Sequence, residues 1–276
     1  MKRFAFICIL LFGAVLLYGT MDFPAYGDPE SPASQHLSPY YIKKAIEDTA
    51  VPNLVTAVLA DYRGYDTLFE TAVIFTAGVA CFLLLRRFRR EPPQFRLYRH
   101  LDTGITLIVE QGGKEPTDSD EFQRIDSQWV PYDLIIQKAV GLVVPFLQLF
   151  ALYVIAHGHH SPGGGFQGGV IFGATIILMA ISNDLRSTTR RISETISSKL
   201  ASTGVLIYAG TGALCLLLGA NFLNYSQLSK LIHVSTVMAR SHGILLIEIG
   251  VGLAVAAVMI WIYYNLASSG RHDEGL

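Results

Sequence analysis

The chain has 276 residues, of which 51% are apolar and only 16% charged, with a mean hydropathy of +0.40. A soluble domain carries about 25% charged residues, so the deficit and the long apolar runs point to an integral membrane protein. The net charge of −1 leaves no nucleic-acid footprint, and Cys8, Cys81 and Cys215 each lie alone in an apolar run, without metal-ligand spacing. No cofactor is expected, and any iron–sulfur cluster of a larger assembly would sit on other subunits.

Residues 4–20 form the first apolar run, after Lys2 and Arg3. Its outline fits a signal peptide with a cleavage site at Ala25-Tyr26-Gly27, and its length equally fits an uncleaved anchor. Residues 21–52 are polar, with a short helix expected over 38–50. Residues 53–66 read as a helix near or entering the membrane, and 68–85 as the second span, stopped by basic residues 86–90.

Residues 91–133 form the longest polar stretch, with Pro92, Pro93, a short strand expected over 104–110 and an acidic turn running to Asp126. A junction is expected here. Residues 134–156 are the third span, with Pro145 as an expected kink. Residues 166–183 are the fourth, 200–220 the fifth and 243–266 the sixth, with 221–241 as a connector. The fold class expected is all-α: a polytopic membrane protein of about six transmembrane helices in a 2+4 arrangement. The regions are 1–90 (two helices), 91–130 (linker) and 131–276 (four helices). Lys and Arg concentrate at residues 2–3, 86–99, 186–199 and 271. By the positive-inside rule that puts both termini in the cytoplasm and the turn at 157–169 toward the outer face of a cell membrane.

That turn, HGHHSPGGGFQGG at 157–169, joins two apolar segments. Repeated glycines and a proline oppose ordinary helix. Irregular backbone at membrane depth persists only if protein buries it or it lines a watery cavity. The G-x-G-x-x-G from Gly163 to Gly168 lacks the strand and βαβ unit of a dinucleotide site, and no Gly-Lys-Ser/Thr ends the run. Pro162, Gly163, Gly164, Gly165, Phe166, Gln167, Gly168 and Gly169 read as a structural turn, with Gln167 able to satisfy carbonyls or line water.

Ionisable groups in membrane segments are functional candidates. Glu70 opens the second span after Asp61, Arg63 and Asp66, and shares a helical face with Asp66, Thr67, Ile74 and Ala77. It either accepts a proton or cation from a hydrated path or pairs with Arg63 or a partner's cation. Glu248 stands alone in the apolar sixth span, as a relay or as hydrogen-bonding glue between helices. Lys138 either snorkels to the interface or relays protons, and Asp133 is expected at the interface. His157 and His159 could cap the helix or relay protons; with His160 they lack a standard zinc spacing. His233 and His242 are placed in the connector, and His242 is too far around the helix from Glu248 to pair with it. No Ser-His-Asp or Cys-His arrangement suggests a catalytic centre.

The HGHHSPGGGFQGG turn resembles the signature of the B subunit of Mrp-type multisubunit cation/proton antiporters, shared with subunits of energy-converting membrane hydrogenases. The stretch PNLVTAVLADYRGYDTLFE, residues 52–70, resembles the C-terminal part of the large antiporter subunit, which in membrane-bound hydrogenases is a small polypeptide of its own. The chain therefore looks like two neighbouring subunits fused. The resemblance implies a membrane-arm subunit of a cation(Na⁺)/proton antiporter module that contributes part of the ion path and the packing between subunits. It implies partners among the module's other membrane subunits and, where exchange is coupled to electron transfer, among peripheral-arm subunits. The fusion favours a hydrogenase or related respiratory assembly over a simple antiporter. It also implies proton or cation duty for Glu70 and Glu248, where the family's B subunit commonly has Asp at the latter, and matches His157 and His159 to its His-Gly-His. The alternative is a purely structural scaffold; a stand-alone transporter would need a repeated discontinuous helix pair that this chain lacks.

Overall fold

The computed structural model describes residues 2–87, 95–110, 121–125, 134–183 and 185–268. Arg89 and Arg90 of the basic stop, Pro92 and Pro93, most of the acidic turn running to Asp126, Asp133 and Arg271 lie outside the described residues. The chain forms two compact units, Met1–Ala45 and Ile46–Leu276. Among the described residues six helices are long and apolar enough to cross a membrane, as the hydropathy pattern predicts, and the protein is a multi-pass helical membrane protein.

In the first unit α1, Lys2–Gly19, is followed by a 3₁₀ turn, Thr20–Asp22, where the Thr20 hydroxyl donates to the Leu17 carbonyl at 2.7 Å. A π turn, Ala33–Leu37, leads into α2, Ser38–Thr49, which crosses the unit boundary.

The second unit begins with the short α3, Leu54–Ala57, capped by the Asn53 side chain on the Val55 amide at 3.1 Å. A π turn, Val58–Tyr62, then leads into α4, Gly64–Arg87. Two buried tyrosines donate to main-chain carbonyls on either side of the change from π to α geometry: Tyr208 reaches the Gly64 carbonyl at 2.7 Å and Tyr225 the Ala60 carbonyl at 3.1 Å.

The stretch expected as a linker contains a three-stranded antiparallel sheet in the order β2-β1-β3. Its strands are β1, Phe95–His100, β2, Thr106–Glu110, and β3, Phe122–Ile125. The strand foreseen over 104–110 is β2, two residues shorter. Leu97 pairs with both Ile108 and Ile125. The sheet lies outside the membrane-crossing helices, whose class remains all-α.

The third span is α5, Leu134–Ala156, uninterrupted through Pro145, and α6 follows as Gly165–Asn183. A short α7, Leu185–Arg191, precedes α8, Glu194–Leu217. After the small α9, Ser229–Ile232, comes α10, Thr236–Ala267. Helices α8 and α10 begin six and seven residues before their expected starts. Ser193 accepts from the Ile196 amide and Ser235 from the Met238 amide, both at 3.3 Å, so capping extends each helix through a polar first turn. His242 therefore lies inside α10, a correction to its placement in the connector.

Helix α10 is the axis of the unit, packed against α4, α6 and α8, while α5 packs on α6. Small residues make the approaches close: a Cβ at Gly204 of α8 would lie 2.5 Å from both the Gly250 carbonyl and the Ala254 amide of α10. In a bilayer such packing replaces the hydrophobic drive that soluble helices have. Toward the other end of α10, Trp261 sits against Phe82 with ring centroids 5.3 Å apart and donates to Glu194 at 3.0 Å.

Candidate functional site

The glycine-rich turn closes over Glu248. Gly163 and Gly164 have φ of +135° and +146°, conformations that side-chain-bearing residues rarely adopt. A Cβ on Gly164 would stand 2.5 Å from Glu248 Oε1, and one on Gly158 2.9 Å from Oε2. At Gly165 a Cβ would overlap the Glu248 main-chain carbonyl. Glycine is needed because the backbone itself forms the lid of the carboxyl.

A second segment pins this lid. Asn53 Nδ2 lies 2.8 Å from the carbonyls of Gly158 and Ser161, and the Asn53 amide donates to the His159 carbonyl at 2.9 Å. The Thr56 hydroxyl also donates to the Gly158 carbonyl, at 2.9 Å. Carbonyls that a tight turn cannot pair internally are thus satisfied from residues 53–56, more than a hundred positions away in sequence.

Between the lid, residues 55–60, α4 and α10 lies a cavity of about 250 Å³. Glu70, Thr67 and Thr71 line it from α4, Gln167 and Phe166 from the turn, and Glu248 from α10. Glu248 is only 7% exposed. The polar groups facing its carboxyl are the Gly165 amide and the Thr56 hydroxyl, yet among the described residues Oε2 has no hydrogen-bond partner. Glu70 is more exposed. A water occupies about 30 Å³ of liquid, so this space admits several waters between two titratable groups.

Beside the cavity Asp61 takes a bidentate pair of bonds from Arg240 of α10, at 2.7 and 2.8 Å. The guanidinium also lies 5.6 Å from the Tyr62 ring centroid, and the Tyr62 hydroxyl donates to Asp48 at 2.7 Å. This charged clamp joins residues 48–62 to α10.

The structure thus brings Glu70, Glu248, Gln167 and Gly163–Gly165 together around one space. Asp66 is not on its lining: it pairs with Arg63, the partner first considered for Glu70. Lys138 is exposed near the start of α5, about 27 Å along that helix from the turn. His157 is exposed and stacks on Tyr153 with centroids 4.9 Å apart. His159 is half-buried, and Nε2 has no hydrogen-bond partner among the described residues. Burial first, then His160 and His242, push its pKa below the ordinary 6.5. Among the described residues no cluster of three or more His, Cys, Asp or Glu could hold a metal.

Sequence reasoning did not single out Asn53, Thr56, Asp61 or Arg240 for these roles. The Pro52-Asn53 step before an apolar run is a helix-start pattern, which points to Asn53 as a cap but not to its reach across the fold.

Comparison with known proteins finds two families on separate parts of the chain. Residues 135–261 match the family described as a domain related to the MnhB subunit of Na⁺/H⁺ antiporters, and residues 9–99 match MbhE, the E-type subunit of MBH. The B-type subunit of the Na⁺/H⁺ antiporter of Bacillus subtilis is 33% identical over 129 residues, which cover 45% of this chain and 90% of that protein. A probable K⁺/H⁺ antiporter A/B-type subunit of Rhizobium meliloti is 27% identical over 251 residues. That match takes in 90% of this chain but 24% of the relative, so the chain spans about a quarter of that protein's length. Among solved structures, a chain of the Mrp complex from Dietzia sp. superposes with a TM-score of 0.61 at 23% identity, covering 98% of this chain and 26% of that one. A chain of the membrane-bound sulfane sulfur reductase, an archaeal respiratory membrane complex, superposes with a TM-score of 0.59 at 22% identity, covering 96% and 97%. The chain therefore belongs to the family of MnhB-related Na⁺/H⁺ antiporter subunits, and it carries a segment of the MbhE family ahead of its MnhB domain.

Proposed function

We propose that the chain is a membrane subunit of a multisubunit cation/proton antiporter module and that the cavity between Glu70 and Glu248 is part of the module's ion route. The observation that carries this reading is the joint lining of one space, large enough for several waters, by two carboxylates, one from each family segment. A buried carboxyl with an oxygen left without a donor is an expensive arrangement for a scaffold. It suits a group that exchanges its proton or holds a cation in transit. The relatives' names differ in cation, Na⁺ or K⁺, and agree on the proton.

The partners are the module's other membrane subunits. An archaeal respiratory membrane complex contains a chain that this one matches over nearly the whole length of both, which favours a respiratory assembly with a peripheral redox arm. The chain sits in the cytoplasmic membrane with both termini inside, by its Lys/Arg distribution.

The test is Glu248→Gln and Glu70→Gln in the assembled complex. Cation-driven proton movement would be read in inverted vesicles, and complex content on native gels. Glutamine keeps the shape under the glycine lid and removes the titration. Exchange per assembled complex should fall more than about tenfold for Glu248→Gln and less for Glu70→Gln, corresponding to at least about 1.4 kcal/mol for the first. Wild-type exchange by both variants in normally assembled complex would refute the ion-route reading. Lost assembly with normal exchange per surviving complex would favour the scaffold.

A further inference from the structure

A second cavity lies away from the carboxylates, and it is apolar. It is a groove of about 480 Å³ between α5, α6, α8 and α10. Leu152 and Ile155 of α5, Phe172 of α6, Leu200 of α8, and Ile249 and Leu253 of α10 form its walls. Among the described residues Ser197 is the one polar side chain on the lining, and its hydroxyl is committed to the Ser193 carbonyl at 3.3 Å. The groove therefore offers nothing along its length to a polar ligand. Leu152, Leu200 and Ile249 remain 52%, 38% and 44% exposed, so the groove opens laterally.

Its dimensions select the occupant. The lining runs along α10 from Leu245 to Ile260, about 22 Å at 1.5 Å per residue. A volume of 480 Å³ over that length leaves a slot roughly 8 Å across once a water radius of about 1.4 Å is added on each side, narrower than a helix about 10 Å wide. A methylene chain, with carbon contacts at about 4 Å, fits such a slot. At the end marked by Ile192 and Leu200, the adjoining residues Arg190, Arg191 and Lys199 are exposed. An apolar slot whose end residues are neighboured in sequence by exposed cations suits a lipid with an anionic headgroup.

We propose that this groove is a binding site for an anionic phospholipid, with one acyl chain between α5/α6 and α8 and the headgroup phosphate held by Arg190, Arg191 and Lys199. This site is separate from the carboxylate cavity and does not depend on the ion-route reading. The lipid completes the apolar packing around α10 where no described helix of the second unit fills the slot.

The experiment uses the intact membrane complex in nanodiscs of phosphatidylcholine, doped with phosphatidylglycerol or phosphatidylcholine carrying a photoactivatable diazirine in one acyl chain. Labelled peptides are mapped by mass spectrometry. Phosphatidylglycerol should label residues 245–260 and the facing parts of α5 and α8 at least several-fold more than phosphatidylcholine. That preference should disappear when Arg190, Arg191 and Lys199 are all replaced by Gln. Leu200→Trp, at a half-exposed position on the mouth, should reduce labelling by both lipids while the charges remain. Equal labelling by the two lipids, or labelling indifferent to these substitutions, would overturn the proposal. So would Leu253→Cys, if that variant cross-links to a neighbouring subunit in good yield, since a protein segment would then occupy the slot. Native gels of each variant confirm that the complex compared is assembled.

Discussion

Two carboxylates meet α10 beside the same cavity, and the fold treats them oppositely. Asp61 is held by Arg240 through two short bonds, so both oxygens and the guanidinium fork are matched. Glu248 lies eight residues further along α10, about 12 Å, with no cation on it among the described residues and one oxygen without a donor. Burial alone therefore does not mark a working carboxylate here. The paired one fastens the two family segments together, and the unpaired one is left able to change its occupancy.

Breaking the clamp should give the largest loss of stability. Asp61→Ala or Arg240→Ala leaves a largely buried charge without its partner, which costs roughly 3 kcal/mol. The yield of assembled complex and its thermal midpoint should both fall. The double exchange Asp61→Arg with Arg240→Asp should recover part of the loss. A single variant that assembles and melts like the wild type would show that the clamp is ornamental. The contrast with Glu248→Gln is the point: one carboxylate should govern assembly, the other transport.

Next in size is the lid. Gly164→Ala places a methyl group against Glu248 Oε1 and forces a positive φ on alanine, an overpacking worth about 1–3 kcal/mol. Because the displaced atom belongs to the carboxyl, exchange activity should fall further than stability. Gly210→Ala, on α8 with nothing within 4 Å of the added atom, is the matching control. It should be neutral or slightly stabilising, by up to about 1 kcal/mol.

Much of the architecture was legible because bilayer-crossing helices announce themselves by length and hydropathy. Residues 134–156 were read to the residue, since apolar sequence ends abruptly at the turn. The starts of α8 and α10 were not, because Glu194, Lys199, Arg240 and His242 are polar and periodicity alone cannot separate a capped first turn from a connector. The strands at 95–100 and 122–125 were hidden in a charged stretch too short for alternation to stand out. Glu70 and Glu248 were each visible as ionisable residues in apolar company. Their convergence on one cavity, and the cross-bracing by Asn53 and Arg240, depend on contacts more than a hundred residues apart in sequence, which no local pattern encodes.

The brace at Asn53 gives a smaller, sharper test. Asn53→Ala removes the donors to Gly158 and Ser161 and should cost about 2 kcal/mol, because the turn's carbonyls lose partners in a partly buried place. Asn53→Asp keeps the helix cap and replaces the donors with acceptors, so it should be at least as damaging to the lid. A thermal melt of the complex with each variant checks the order. If Asn53→Asp is harmless while Asn53→Ala is not, the residue matters as a cap and not as a brace.

The smallest effect expected is a pH dependence from His159. Its folded-state pKa is held below 6.5 by burial and by its neighbours His160 and His242, so the folded protein resists charging it. Between 6.5 and that lower value the unfolded chain binds more protons at this position, and stability falls as pH falls. The contribution is present above 6.5 and is lost progressively on acidification. His159→Gln should therefore flatten the acid limb of a plot of melting temperature against pH and leave the plateau above pH 7 almost unchanged. A steeper limb in the His159→Gln variant would mean that the charged form of this histidine is the one the fold prefers, and that the buried nitrogen finds an acceptor under the glycine lid.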